Sequence, residues 1–209
     1  MKKLLSLVSI SIFLIFNGYC QVIDNLEMAN PYQDGLASVK KGDQWGFIDE
    51  KGDLVIAYRD DLVSSPSTSG LAASEEWKSY PAFREGRCLI HEMREGIQYF
   101  GFIDKQGRTV VEPNYVNATN FRDGYAIVTQ YTRQVVGRNE LLGKDVVNYQ
   151  AEELVIDKTG KVVTSLMNPR NFVPSKVKRT PPDMQARFLG KGLVAVQGED
   201  GKWAVYKFE

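Results

Sequence analysis

Residues Gln44 to Asp53 read QWGFIDEKGD, and close copies return as YFGFIDKQGR at Tyr99 to Arg108 and ELVIDKTGK at Glu153 to Lys161. An active site is built once, from residues with different roles, so a motif written three times points first to a structural unit. Period-two alternation places Trp45 and Phe47 on one face of a strand and Gly46 and Ile48 on the other. The D-x-x-G that follows supplies a short polar loop. Aspartate can accept from nearby backbone amides there, and glycine tolerates positive φ. Glycine at 46 and 101 predicts close approach of a second backbone or a ring, although Leu154 and Ala204 hold that position in the other copies.

Each copy is preceded by a glycine-led apolar run: DGLASV from Asp34, EGRCLI from Glu85, DGYAIV from Asp123 and KGLVAV from Lys191. After the turns come third runs, DLVIAY, RTVVEP and KVVTSL, whereas the fourth copy shows only its first two. Each unit should therefore be a tight hairpin preceded by another antiparallel strand. The expected fold is all-β: antiparallel three-stranded hairpin repeats in an open curved stack or a propeller-like arrangement, with irregular loop insertions. The units span about 31–80, 81–120, 121–187 and 188–209. The opening glycines, Gly35, Gly86, Gly124 and Gly192, are 51, 38 and 68 residues apart. That unevenness favours an open stack over a regular ring, and it locates insertions near 64–80, within 131–152 and within 165–187. Inserted loops carry function more often than scaffold strands do. The last insertion, around Asn168 to Arg187, holds four prolines and several basic residues. It reads as a removable excursion with a short helix near Asp183 to Phe188.

The pattern G-L-A-x-V, W-G-F-I-D-x-x-G, V-I or V-V, then Tyr115, Phe121 and Asp123-Gly124, resembles the bacterial WG-repeat family. The resemblance covers most of 31–163 together with 188–209. It implies a β-rich repeat scaffold, common in exported and surface proteins, and it carries no catalytic residues to transfer.

The first twenty residues form a separate element. Lys2 and Lys3 precede the apolar run Leu4 to Phe16, LLSLVSISIFLIF, which is short for a bilayer span and suited to a secretory h-region. Gly18 and Cys20 place the expected cleavage before Gln21; the alternative is a lipoprotein anchored through Cys20. The expected location is periplasmic or extracellular, with residues 21–209 as the repeat domain and no transmembrane span in the mature chain. Cleavage leaves 24 basic and 26 acidic residues and one cysteine, Cys88. A near-neutral balance argues against nucleic acid as a partner. A single cysteine excludes an internal disulfide, so stability must come from core burial.

Catalytic constellations are sparse. His91 is the only histidine, and Cys88, three residues upstream, reads as a buried inert thiol. Neither a cofactor nor a metal set is recognisable. Asp49, Asp104 and Asp157 sit at one repeat position beside a turn, so a hairpin role accounts for all of them. The repeat aromatics Trp45, Phe100 and Trp203 read as core. The candidate binding surface is Trp77 and Tyr80, with Phe83 and Tyr131 nearby, together with the basic Lys176, Lys178 and Arg179, flanked by Arg170 and Arg187. The leading expectation is a non-enzymatic module binding an envelope protein or a glycan. The alternatives are an envelope hydrolase of glycan or peptidoglycan using loop carboxylates such as Glu75 or Glu76, and a purely structural spacer.

Overall fold

The computed structural model describes residues 22–64, 79–166, 170–172 and 183–208. All of its regular elements are strands, and every pairing between them is antiparallel. The first sheet runs β1 (Met28–Ala29), β2 (Ala37–Lys41), β3 (Gln44–Ile48) and β4 (Leu54–Arg59), in that order. The second contains β5 (Cys88–Arg94), β6 (Ile97–Ile103), β7 (Thr109–Ala118), β8 (Tyr125–Asn139), β9 (Lys144–Asp157) and β10 (Val162–Ser165), neighbours in chain order. β11 (Arg170–Phe172) pairs with β9. The third sheet is β12 (Ala186–Gly190), β13 (Leu193–Gln197) and β14 (Trp203–Lys207). No sheet closes into a barrel, so the architecture is an open β-repeat stack.

Each unit opens on a two-residue hairpin turn. Asp34 and Gly35 have φ of 55° and 82°, Glu85 and Gly86 51° and 79°, Asp123 and Gly124 53° and 90°. Positive φ at both central residues is the type I′ geometry that matches strand twist. The second strand of the unit then ends on the D-x-x-G turn. Asp49 Oδ1 accepts from the amides of Lys51 and Asp53, both at 2.9 Å. Asp104 Oδ1 repeats this with Gln106 and Arg108, and Asp157 Oδ1 with Thr159 and Lys161. The repeated aspartates are thus turn-forming groups.

The motif glycines answer to close packing. A Cβ on Gly46 would stand 3.0 Å from the Ile56 carbonyl oxygen, and one on Gly101 2.7 Å from the Pro113 nitrogen while overlapping the Val111 carbonyl. Third strands also pass from one unit to the next. Leu62, just beyond β4, bridges to Ile90, and Asn117 and Ala118 of β7 pair with Thr129 and Val128.

Successive side chains alternate between neighbouring cores, as the strand period requires. Cys88, Ile90 and Ile103 join Trp45, Phe47 and Phe83, whereas Leu89 and Phe102 join Phe121, Val128 and Ile156. The central units are therefore buried on both faces. The same edge-to-face aromatic pair closes two successive steps: Phe47 with Phe83 at 4.8 Å, and Phe102 with Phe121 at 4.7 Å between ring centroids.

An acidic clasp accompanies these contacts. The Asp34 carboxylate accepts from Gly86 N and pairs with Lys105 at 3.1 Å. Glu85 accepts from the amides of Asp123 at 2.7 Å and Gly124 at 2.8 Å, and pairs with Lys158 at 3.0 Å. Burial works against the Glu85 carboxylate, but these amides and Lys158 prevail and hold it below the usual range.

Two expectations need correction. No helix forms near Asp183 to Phe188: residues 183–185 are irregular and 186–190 are β12, because Ala186 is buried against β13 and ladder pairing with Val196 outweighs local preference. Trp203 is not core but 43% exposed. It lies on β14, whose outer edge no described strand covers, and the Arg187 guanidinium stacks 3.7 Å from its ring centroid.

Candidate functional site

The clearest departure from the repeat lies in the third unit, where β8 and β9 extend to 15 and 14 residues. Their inner halves belong to the scaffold: Ala126, Ile127, Val128, Val155 and Ile156 are fully buried. Their outer halves leave the sheet as a two-stranded arm. Valines favour extended backbone on both sides, and pairing runs through Val135 with Val147, Arg138 with Asp145 and Asn139 with Lys144. Asn139 Oδ1 accepts from Leu142 N at 3.0 Å, and Gly143 takes a φ of 60°, which turns the chain at the tip. Among its polar residues the arm exposes large apolar side chains. Leu141 is 97% exposed and Leu142 68%, with Val135, Val136 and Val146 also exposed. A two-stranded hairpin is marginal alone in water, so such a surface gains most when it is covered.

At the root of the arm sits a buried charge. Glu153 occupies the position of the repeat aromatic, and it is fully buried. Its Oε1 accepts from Arg170 on β11 at 2.7 Å and from the Gln185 amide at 2.7 Å. A buried carboxylate needs such partners, and here they come from both ends of the last insertion. That insertion is therefore anchored at Arg170 and Gln185. Nearby, burial pushes the Tyr131 phenol up to about 12. A groove of about 480 Å³ runs between this anchor and the third sheet, lined by Leu166, Arg170, Gln185, Val196, Trp203 and Tyr206 among others.

The candidate surface read from the sequence is not brought together. Tyr80 is 2% exposed and Phe83 fully buried, both within the first core, because the segment before Glu85 supplies the aromatic that closes on Phe47. Trp77, Lys176, Lys178 and Arg179 lie outside the described residues, as do Glu75 and Glu76. Of the flanking cations, Arg170 is paired with Glu153 and Arg187 is stacked on Trp203. Cys88 is 1% exposed, and burial pushes its thiol up to about 12, which suppresses the thiolate a nucleophile needs. His91 is half-buried, paired across the ladder with Phe100. The sequence did carry signals for the arm and its anchor: a V-V pair on each side of N-E-L-L-G-K, and a glutamate where an aromatic stands in the other copies.

Two stretches of the chain, residues 45–73 and 100–131, match the family model described as WG containing repeat. The chain carries WG repeats. Each matched stretch begins at the motif aromatic, Trp45 or Phe100, and runs through the D-x-x-G turn and past the third strand, the second reaching Tyr131 on β8. The arm tip and the Glu153 anchor fall outside both stretches of this WG-repeat chain. No curated protein matches the chain. No solved structure matches it either.

Proposed function

We propose that this WG-repeat chain is an exported, non-enzymatic binding scaffold of the cell envelope, with the β8–β9 arm as its recognition surface. The observation that carries the reading is the pair Leu141 and Leu142, 97% and 68% exposed on a projection that the scaffold does not need. The signal-like residues 1–20 support export. Two leucines beside Val135, Val136 and Val146 suit an apolar groove on a protein better than a glycan, whose recognition needs aromatic platforms and paired polar groups. The shared units then act as a rigid base that fixes where the arm points.

The test is to join Arg133 to Asn148 through an Asn-Gly turn, removing the outer arm while keeping the buried halves of β8 and β9. The shortened chain should keep its cooperative unfolding and lose capture of its partner from the native envelope fraction, and L141D/L142D should do the same. Undiminished capture by both variants would exclude the arm as the binding surface.

A further inference from the structure

Among the described residues two sheet edges are left uncovered, and they match each other. In the internal units the third strand places Ile56 opposite Phe47 and Val111 opposite Phe102. These residues also lie against the turn glycine of the following unit: a Cβ on Gly107 would be 3.4 Å from Ile56, and one on Gly160 3.1 Å from Val111. Six residues further on, the same strand reaches the first strand of that following unit, Leu62 at Ile90 and Asn117 at Thr129. Residues 22–29 repeat this behaviour on the first unit. A Cβ on Gly52 would be 2.7 Å from Val22, and Met28, six residues on, pairs with Lys40. They occupy the place of a third strand, irregular over 22–27 and regular only at Met28–Ala29, with no second strand of its own among the described pairings. β14 is the converse, a second strand whose outer edge no described strand covers and whose five residues are all exposed.

We propose that residues 22–29 of one copy of this chain complete the fourth unit of a second copy, in a head-to-tail assembly. The internal units fix the register. Val205 holds the position of Phe47 and Trp203 that of Trp45, so Val22 lies opposite Val205 and Asn25 opposite Trp203, as Ile56 and Arg59 do in the first sheet. The clasp points to the same partner. Where the internal steps set an acid, Asp34 or Glu85, against Lys105 or Lys158, the fourth unit carries Lys191 and the first carries Glu50. The pair is kept with its signs exchanged, and both residues are exposed. The aromatic contact has a counterpart as well. Tyr32 stands two residues before Asp34, as Phe83 stands before Glu85, and Tyr32 and Val205 are 47% and 58% exposed. A head-to-tail contact is heterologous, so it propagates into a ring or a filament. The inference stands apart from the arm, which projects from the third unit.

Sedimentation equilibrium and cysteine cross-linking test it on the chain carrying Cys20→Ser, in which Cys88 is buried. A Val22→Cys chain mixed with a Val205→Cys chain should form a disulfide between the two, and the uncrosslinked chain should gain mass as its concentration rises. Glu50→Lys and Lys191→Glu should each weaken association at least tenfold, and the two together in one chain should restore it, which a folding defect would not do. Monomeric mass at every concentration with no mixed disulfide overturns the proposal. So does an internal disulfide in a monomeric chain carrying both cysteines, since the chain's own residues 22–29 would then close on its own β14. Failure of the combined charge exchange to restore association removes the Lys191–Glu50 contact and overturns the head-to-tail arrangement.

Discussion

Replacing Glu153 with alanine is the sharpest test of how the insertion is held. The carboxylate is fully buried, Arg170 retains 17% side-chain exposure, and the Gln185 amide has its charge-assisted bond to the same oxygen. Removal leaves a largely buried guanidinium and a backbone N–H without their acceptor. Breaking such a pair from one side costs about 3–5 kcal/mol. The loss should be local, because Glu153 ties β9 to β11 and to the approach to β12, not to the first sheet. Hydrogen exchange read strand by strand should show amides of β11 to β14 losing protection by that amount, while β2 to β6 hold theirs. Urea unfolding of the same variant should show a separate early step or a lowered midpoint. A second variant separates buried charge from lost volume. Glu153→Leu with Arg170→Leu replaces the pair by apolar groups, and such exchanges are often neutral, so most of the protection should return. A loss below about 1 kcal/mol in the alanine variant, or one spread evenly over all strands, would refute the anchor.

Two further outcomes follow from the repeat geometry. Gly101→Ala should destabilise by about 1–3 kcal/mol and Gly46→Ala by less, read as thermal midpoints, because the Gly101 site meets rigid backbone at Val111 and Pro113 whereas Gly46 has 3.0 Å to its nearest atom; equal midpoints for the two would contradict the close-approach reading. On acidification the fold should weaken: Glu85 is held low by amides and Lys158 against its burial, Asp104 by Arg108 and turn amides against its burial, and Asp157 first by the Thr159 hydroxyl. Acids lowered in the folded state add stability above their unfolded pKa values, and lose it as pH falls through the folded ones. Urea midpoints should therefore be flat near neutrality and fall below about pH 4, and a midpoint that rises there would reverse the sign of the argument.

The repeating half of this fold was legible because its determinants are local. Asp-x-x-Gly bonds its own amides, D-G sets two positive φ values, and alternation decides which side chains are buried. Each of these is written within a few residues. Contacts between units are written far apart, and for that reason Tyr80 and Phe83 resembled loop aromatics: nothing near them in sequence reveals that Phe83 meets Phe47, on a strand of the preceding unit. Trp203 misled for the opposite reason. Its motif matches Trp45, but an aromatic at that position is buried only when a third strand and a following unit cover it. Glu153 stands where the other copies carry an aromatic. Its partners lie 17 and 32 residues away, in a segment that by composition reads as loop.

The clasp gives Glu153 a wider meaning. From unit one to two and from two to three, coupling runs through an acid on one turn and a lysine on the next. At the third step the fourth unit has no D-K-x-G turn to supply that lysine, and among the described residues Asp123 makes no such pair. The Glu153–Arg170–Gln185 anchor sits at this step. It ties β9 to the strand that leads into the last sheet, so the insertion takes over the coupling that the repeat no longer writes. In a stack whose units touch only their neighbours, stability is set step by step, and at this step the anchor adds to the apolar cluster that Ile127, Val155 and Leu166 form with Ala186, Val194 and Val196. The arm rises from the same strand pair, so a partner covering Leu141 and Leu142 would bear on the strand that carries this anchor.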